Sequence, residues 1–458
     1  MENQPKYNAL RQEYPEFSFD SFSYSVENDE FTMKFKFSAG DIHFEPCTRI
    51  PKRIFLNFNK LSTKEYDLLV FHAGMAELVS YWKCVCSPKV TIKPFKLTEE
   101  QISFWEKLYF NGLGEFFYRN GIRANQTDFM DIVCESEEAL QPCGFGLEDK
   151  YLVPIGGGKD SVVTLEVLRS GGYDIRPVIM NPRGATVQCA GKAGFSSDDF
   201  VEIRRTIDTN LLKLNEQGFL NGHTPFSAML AFYTILVSAL TGRRNIALSN
   251  ENSANEATVI GTGVNHQYSK SMEFENDFRS YVARFISPDF NYFSFLRPLS
   301  ELQIAMLFAQ NPQYFGVFRS CNAGSKQNIW CGNCPKCLFA YIILSPFIDP
   351  ETMKEIFGKD MLDDSGMQTF FNELTGLSET KPFECVGTID EVNTALALTE
   401  MRFYRDKEKP LLLKNPSVCN IKTQLSGFCT DNNLDPELQR LLKNTVDAVS
   451  KKLEFSKN

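Results

Sequence analysis

The sequence predicts an α/β fold: an open parallel sheet with an N-terminal α+β segment before it and a helical C-terminal extension after it. Three observations carry this. Between 149 and 345, short apolar runs alternate with helical patterns, as parallel strands joined by crossover helices do. The runs lack polar alternation, which suits strands covered on both faces. Upstream, apolar residues recur at every second position, whereas beyond Pro346 only helical periodicity and mixed charge remain.

Within 1–148, read as an accessory domain, the stretch 30–37 (EFTMKFKF) puts Phe31, Met33, Phe35 and Phe37 on one face of a half-buried strand. Ser62 or Thr63 caps a helix expected to run to about Trp82, with Pro88 beyond its end. A second helix opens at Thr98, where Gln101 completes a capping box, and it runs into the glycines of 111–114. Trp105, Tyr109, Phe116 and Phe117 follow at helical spacing and read as buried core, with a sugar or uridine platform as the alternative. In 149–345, strands are expected at 151–155, 176–180 and 245–249. Helices are expected after Asp160, over 198–214 and over 225–240. The last region, 346–458, is expected to be helical with a solvated lysine-rich tail.

Composition bounds the function. The chain of 458 residues carries 48 Lys+Arg against 57 Asp+Glu, and a net charge of −9 argues against wrapping nucleic acid. No run reaches the ~18 apolar residues of a membrane span, and the N-terminus lacks the apolar core of a signal peptide. Four of the 13 cysteines are clustered and the rest scattered, as in a reducing cytosol, so a cytoplasmic protein is expected. Nothing implies an obligate protein partner.

The sharpest local feature is YLVPIGGGKDS at 151–161. A strand feeds three glycines, and the following helix offers unpaired N–H groups and partial positive charge to an anion. Lys159 adds a cation and Ser161 a hydroxyl. A Walker A loop fails, because position 153 is Val and Asp160 follows Lys159; a dinucleotide GxGxxG fails at Ser161. The plainer alternative is a glycine turn capped by Asp160. GGGKDS resembles the pyrophosphate (PP) loop, SGGxDS, of the ATP-pyrophosphatase superfamily, whose members adenylate an oxygen and release pyrophosphate. The resemblance implies that Gly156, Gly157, Gly158, Lys159 and Ser161 cradle pyrophosphate, and that Asp160 holds Mg²⁺ or caps the helix. Gly156 departs from the pattern by replacing Ser, a lost hydroxyl that Lys159 would offset.

Cys321, Cys331, Cys334 and Cys337 follow a C-x9-C-x2-C-x2-C spacing. Four thiolates so close suit tetrahedral Zn²⁺, with an iron–sulfur cluster as the rival. The arrangement is similar to the zinc knuckle of 7-cyano-7-deazaguanine synthase, which implies a structural zinc that performs no chemistry.

Several polar residues fall where ligands bind in such sheets. Glu251, Asn252, Asn255 and Glu256 follow the strand at 245–249 and either bind Mg²⁺, ribose or substrate, or cap the next helix. His223 is either a base or a helix-cap histidine. Arg183 reads as a phosphate or carboxylate ligand or as an exposed turn residue, and His266, Tyr268 and Lys270 form a polar loop suited to a carboxylate. Cys189 is a weaker proton carrier, with no visible partner. Glu384 and Lys381 are weaker still.

The accessory segment FWEKLYFNGLGEFFYRNGI, the glycine loop, MNPRGA, GHTPFSA, LSNENSANEATV, NHQYSKS, the cysteine cluster and a late KPFECVGT together resemble the UDP-N-acetyl-α-D-muramoyl-L-alanyl-L-glutamate epimerase (MurL) family over nearly the whole length. That resemblance implies an ATP- and Mg²⁺-dependent enzyme of peptidoglycan precursor synthesis. Such an enzyme would invert the terminal L-glutamate of UDP-MurNAc-L-Ala-L-Glu through an acyl-adenylate and release AMP. The chemistry is coherent: a carboxylate's α-proton is hardly acidic, whereas the adenylate's carbonyl can accept the electron pair. On this view Lys159, Asp160, Glu251, Glu256 and His223 are catalytic, and Arg183, His266 and Lys270 bind substrate. The alternatives are another PP-loop adenylating enzyme, nitrile-forming or amide-forming, and a zinc-stabilised nucleotide-binding regulator without turnover.

Overall fold

The computed structural model describes residues 2–51, 60–256, 265–413 and 421–452. Its strands, in chain order, are β1 (Glu16–Glu27), β2 (Glu30–Ala39), β3 (Ile42–Phe44), β4 (Cys47–Pro51), β5 (Lys89–Ile92), β6 (Asp131–Cys134), β7 (Glu148–Pro154), β8 (Ile175–Met180), β9 (Val201–Thr206), β10 (Arg243–Leu248) and β11 (Asn291–Ser294). After β11 the described residues contain helices and no further strand, so the fold is mixed α/β with a helical extension. Two compact units divide it: unit 1 is Met1–Leu152, Val201–Ile246 and Val264–Tyr292, and unit 2 is Val153–Phe200, Ala247–Gly263 and Phe293–Asn458.

In unit 1, β1 and β2 pair antiparallel, with Phe19 opposite Phe37 and Tyr24 opposite Met33. Parallel β5 and β6 extend the sheet beyond β1, while antiparallel β4 and then β9 extend it beyond β2. Phe31, Met33, Phe35 and Phe37 are all buried, as the two-residue period of β2 requires. Against this face lies the helix Thr63–Trp82, opened by a reciprocal capping box between Ser62 and Glu65. Phe71 of that helix stacks on Phe19 with centroids 5.9 Å apart. The helix Glu99–Gly112 opens with the same device, Thr98 with Gln101. Trp105, Tyr109, Phe116 and Phe117 are buried, the core role favoured by their spacing. Parallel β7 and β10 also pair here, Asn245 opposite Tyr151.

In unit 2, Ile155, directly after β7, donates its N–H to the Val178 carbonyl of β8 at 2.8 Å. The helix Lys159–Ser170 follows β7, and the helices Glu301–Phe308, Pro335–Leu344 and Ile389–Phe403 belong to the same unit. The apolar stretch near 226–240 is the buried helix Phe226–Thr241 of unit 1; among the described residues no helix is long and apolar enough to cross a membrane.

One expected element is different. The helix predicted over 198–214 is instead strand β9 followed by a short helix, Thr209–Glu216, capped by Asp208. Val201 and Ile203 are buried while Arg204 is exposed, a two-residue alternation that favours pairing with β4 over helix formation. Part of the lysine-rich tail, 453–458, lies outside the described residues.

Candidate active site

The glycine loop of unit 2 is fixed from behind. The Gly157 carbonyl accepts the Arg319 N–H at 2.8 Å and lies 3.6 Å from the Cys189 thiol, so Cys189 supports the loop. Gly157 sits at φ +82°, and a Cβ there would lie 3.0 Å from the Ala185 backbone. Gly156 has no atom within 4 Å of the place its Cβ would occupy, so the space before the loop is open. Gly158, rather than the expected Asp160, is the N-cap of the helix Lys159–Ser170, and no side chain caps its first turn. The Ser161 hydroxyl donates back to the Gly158 carbonyl at 3.1 Å. Uncapped N–H groups beside open space fit a phosphate group.

Lys159 does not face that space. Its ammonium lies 2.5 Å from Asp160 Oδ1 and is also paired with buried Glu301. Burial alone would push Lys159 down, but Asp160 and Glu301 hold its ammonium above the ordinary lysine range. Burial raises the Glu301 carboxyl; Lys159 opposes this, while Asp160, Glu251 and Glu391 act with it. Two carboxylates thus pair with one lysine, and two more act on Glu301. Glu391 also anchors the helix Glu301–Phe308 by accepting the Glu301 N–H at 2.8 Å.

The ligand-edge residues are likewise engaged. Glu251 is buried, and its carbonyl accepts from buried Arg297 at 2.7 Å. Glu256 pairs with buried Lys381, and Glu384 accepts from Asn322 at 2.6 Å. The segment 381–388 is therefore fastened both to the strand-edge loop and to the cysteine region. Arg183 donates to Ser325 at 2.8 Å, between the first two cysteines of the cluster.

The four cysteine sulfurs all lie within 4.8 Å of one another. Cys321 and Cys334 are 3.8 Å apart and Cys331 and Cys337 are 3.7 Å apart. A tetrahedron with metal–sulfur bonds of about 2.3 Å has edges of about 3.8 Å. Gly332, at φ +63°, turns the chain between Cys331 and Cys334. Backbone N–H groups of Gly324, Asn333 and Cys337 point at three of the sulfurs. The cluster can hold a metal ion.

His223 and His266 meet in unit 1, on a carboxylate absent from the sequence-based assignment. Glu115 Oε2 lies 2.6 Å from His266 Nδ1 and 3.5 Å from His223 Nδ1. Glu115 is buried, and Arg119 one turn later in the helix Gly114–Asn120 reaches it at 3.1 Å. Burial works against its charge, but the hydrogen bond from His266 and the nearby imidazoles and Arg119 bring its pKa below the ordinary value. His223 is driven down to about 4, first by burial and then by His266, with Lys83 and Lys270 acting in the same direction against Glu115.

A family model, the MurL N-terminal domain, matches residues 8–295, and a second, the MurL C-terminal domain, matches 317–419. The chain belongs to the MurL family. Among its relatives in that family is the UDP-N-acetyl-alpha-D-muramoyl-L-alanyl-L-glutamate epimerase of Xanthomonas oryzae pv. oryzae, 37% identical over 332 residues, 71% of this chain and 72% of the relative. The enzyme of the same name from Salinispora tropica is 33% identical over 403 residues, 85% of this chain and 86% of the relative. That of a Micromonospora species is 36% identical over 338 residues, 72% and 74% of the two chains.

Within this MurL-family chain, sequence reasoning missed Glu115, Glu301 and Glu391. Glu115 carries a faint signal, a carboxylate set among aromatics in GEFFYRN. Glu301 and Glu391 read locally as members of helix first turns and gave no sign of their partners.

Proposed function

We propose that this chain is an epimerase that converts the terminal L-glutamate of UDP-MurNAc-L-Ala-L-Glu to D-glutamate in peptidoglycan precursor synthesis. The observation that carries this reading is the likeness to three epimerases of that name, extending to 85% of the chain. ATP with Mg²⁺ would supply the activation, turning the glutamate carboxylate into an acyl-adenylate with an acidic α-proton and releasing AMP and pyrophosphate. The uncapped helix N-terminus and the open space before Gly156 support this part.

In this reading Gly156, Gly157 and Gly158 let the backbone approach the phosphates, and the first turn of the helix, including Ser161, faces their charge. Lys159, held by Asp160 and Glu301, contributes positive potential from within. Asp160, Glu251 and Glu256 supply carboxylates for Mg²⁺. Arg183 binds an anionic group of the substrate, as Lys270 does, and His223 moves the α-proton. The cysteine cluster holds a structural Zn²⁺, for which the sulfur spacing and the four-thiol donor set are the support. A cytoplasmic location goes with these thiols.

The test is to incubate the protein with ATP, Mg²⁺ and UDP-MurNAc-L-Ala-L-Glu in D₂O. D-Glutamate carrying deuterium at Cα, with AMP formed in step, is expected. AMP formation on a different carboxylate without inversion here would point instead to another adenylating enzyme and end the epimerase reading.

A further inference from the structure

Glu115, His223 and His266 reach one point in unit 1 from distant parts of the sequence. Both imidazoles present Nδ1 to the same oxygen, Glu115 Oε2, and their ring centroids are 4.5 Å apart. A carboxylate at Nδ1 fixes the ring and its tautomer and leaves Nε2 for proton transfer. Nε2 of His223 makes no hydrogen bond to a described residue. His223 lines a cavity of about 330 Å³ together with Glu115, Arg119, Asn120, Asn221 and Gly222. That volume lies at the small end of the range for ligand pockets.

We propose that Glu115 is the positioning residue of the proton transfer, orienting His223 so that its Nε2 exchanges a proton with the α-carbon of the bound amino-acid unit. His266 shares that carboxylate. The proposal rests on the epimerase reading and adds to it the group that makes His223 a base. In the resting state His266 holds the shared oxygen at 2.6 Å and His223 stands off at 3.5 Å. When Nε2 takes the Cα proton, the C–H electron pair passes to the activated carbonyl and His223 becomes an imidazolium. Its Nδ1–H then draws towards Glu115, which carries the counter-charge. Delivery of a solvent proton to the opposite face of Cα restores the electron pair to carbon and inverts the centre, and His223 releases its own proton to solvent.

The charged neighbours favour this over a metal site, although two histidines and a glutamate are familiar metal ligands. Arg119 shares the helix of Glu115, Lys83 follows the helix Thr63–Trp82, and Lys270 lies in the same segment as His266. One cation on the carboxylate and two acting on His223 oppose a divalent ion, and 2.6 Å between Nδ1 and Oε2 is a hydrogen-bond distance. Burial first, then His266 and the two lysines, keep His223 unprotonated at neutral pH, as a proton acceptor must be.

The experiment compares the whole enzyme with its Glu115→Gln and Glu115→Asp variants in the D₂O assay across pH. Glu115→Gln is expected to slow Cα exchange by about 100-fold or more, as loss of acid–base assistance does, with KM for the peptide nucleotide little changed. Its acid limb is expected to move to lower pH, because the carboxylate that supports the imidazolium is gone. Glu115→Asp should recover part of the rate. Wild-type exchange with an unmoved acid limb in Glu115→Gln would overturn the proposal. So would a bound metal, beyond that of the cysteine cluster, that wild type holds and the variant lacks. If Glu115→Gln fails to fold, Glu115→Asp decides: a full rate and an unmoved limb overturn the proposal. An inactive wild type counts against the epimerase reading itself.

Discussion

Lys159 is ion-paired with Glu301, and their side chains are only 8% and 4% exposed. A lysine that the sequence places on a phosphate loop is thus committed to a carboxylate in the interior of its unit. Removing one member of such a pair leaves the other uncompensated and costs about 3 kcal/mol or more, whereas replacing both with apolar residues is often neutral. Lys159→Met is therefore expected to destabilise by that amount, and Lys159→Met with Glu301→Leu to recover most of it. Denaturant unfolding of the two variants checks this. A single variant as stable as wild type, changed only in its KM for ATP, would mean that Lys159 serves phosphate alone.

The first two glycines of the loop should respond unequally to an added side chain. Gly157 holds a left-handed conformation at φ +82°, and a Cβ would press on the Ala185 backbone at 3.0 Å. Gly157→Ala is expected to cost about 2 kcal/mol, part from the conformation and part from the clash, and to raise KM for ATP. Gly156 has open space before its Cβ position, so Gly156→Ser should change stability by less than about 0.5 kcal/mol. Melting temperatures and ATP kinetics of both variants make the comparison. Equal damage at the two positions would contradict the loop geometry.

Cys334 caps the helix Pro335–Leu344, and its thiol is brought down to about 5, chiefly through its hydrogen bond with Cys337. Cys334→Ser is expected to lower bound metal and melting temperature together, because metal binding to four thiolates contributes directly to folding. Metal analysis beside a thermal scan tests it. A full metal complement with unchanged stability would remove the structural role.

What was legible in the sequence was local. The capping boxes at Ser62 and Thr98 lie within one turn, the Phe31–Phe37 alternation within one strand, and the four cysteines within seventeen residues of chain. The failures follow from distance along the chain. His266 and Glu115 are 151 residues apart and Lys159 and Glu301 142 apart, so neither pairing leaves a mark in any window of sequence. Residues 198–214 were ambiguous for another reason. Val201 and Ile203 fit a helix or a strand alike, and only pairing with β4 decides between them.

His72 supplies a pH prediction whose sign can be worked out. It is buried in unit 1, with Nδ1 2.7 Å from the Leu68 carbonyl and Nε2 3.0 Å from the Tyr281 hydroxyl. A carbonyl only accepts, so Nδ1 carries the hydrogen and Nε2 accepts from Tyr281, which in turn accepts from Trp105 Nε1 at 3.0 Å. Protonating Nε2 would remove that acceptor and bury a charge. Burial accordingly drives His72 down to about 4, from 6.5 in the unfolded chain. Between those two values the unfolded chain binds more protons than the folded one, so stability falls as pH drops through this window. The loss attributable to His72 should reach about 2 kcal/mol by pH 5 and be absent above pH 7. His223, also depressed to about 4, adds a loss of the same sign. His72→Gln should therefore be less stable than wild type at pH 7 but lose less between pH 7 and 5. Urea midpoints for both proteins at the two pH values measure it, and parallel losses would show that His72 is not the titrating group.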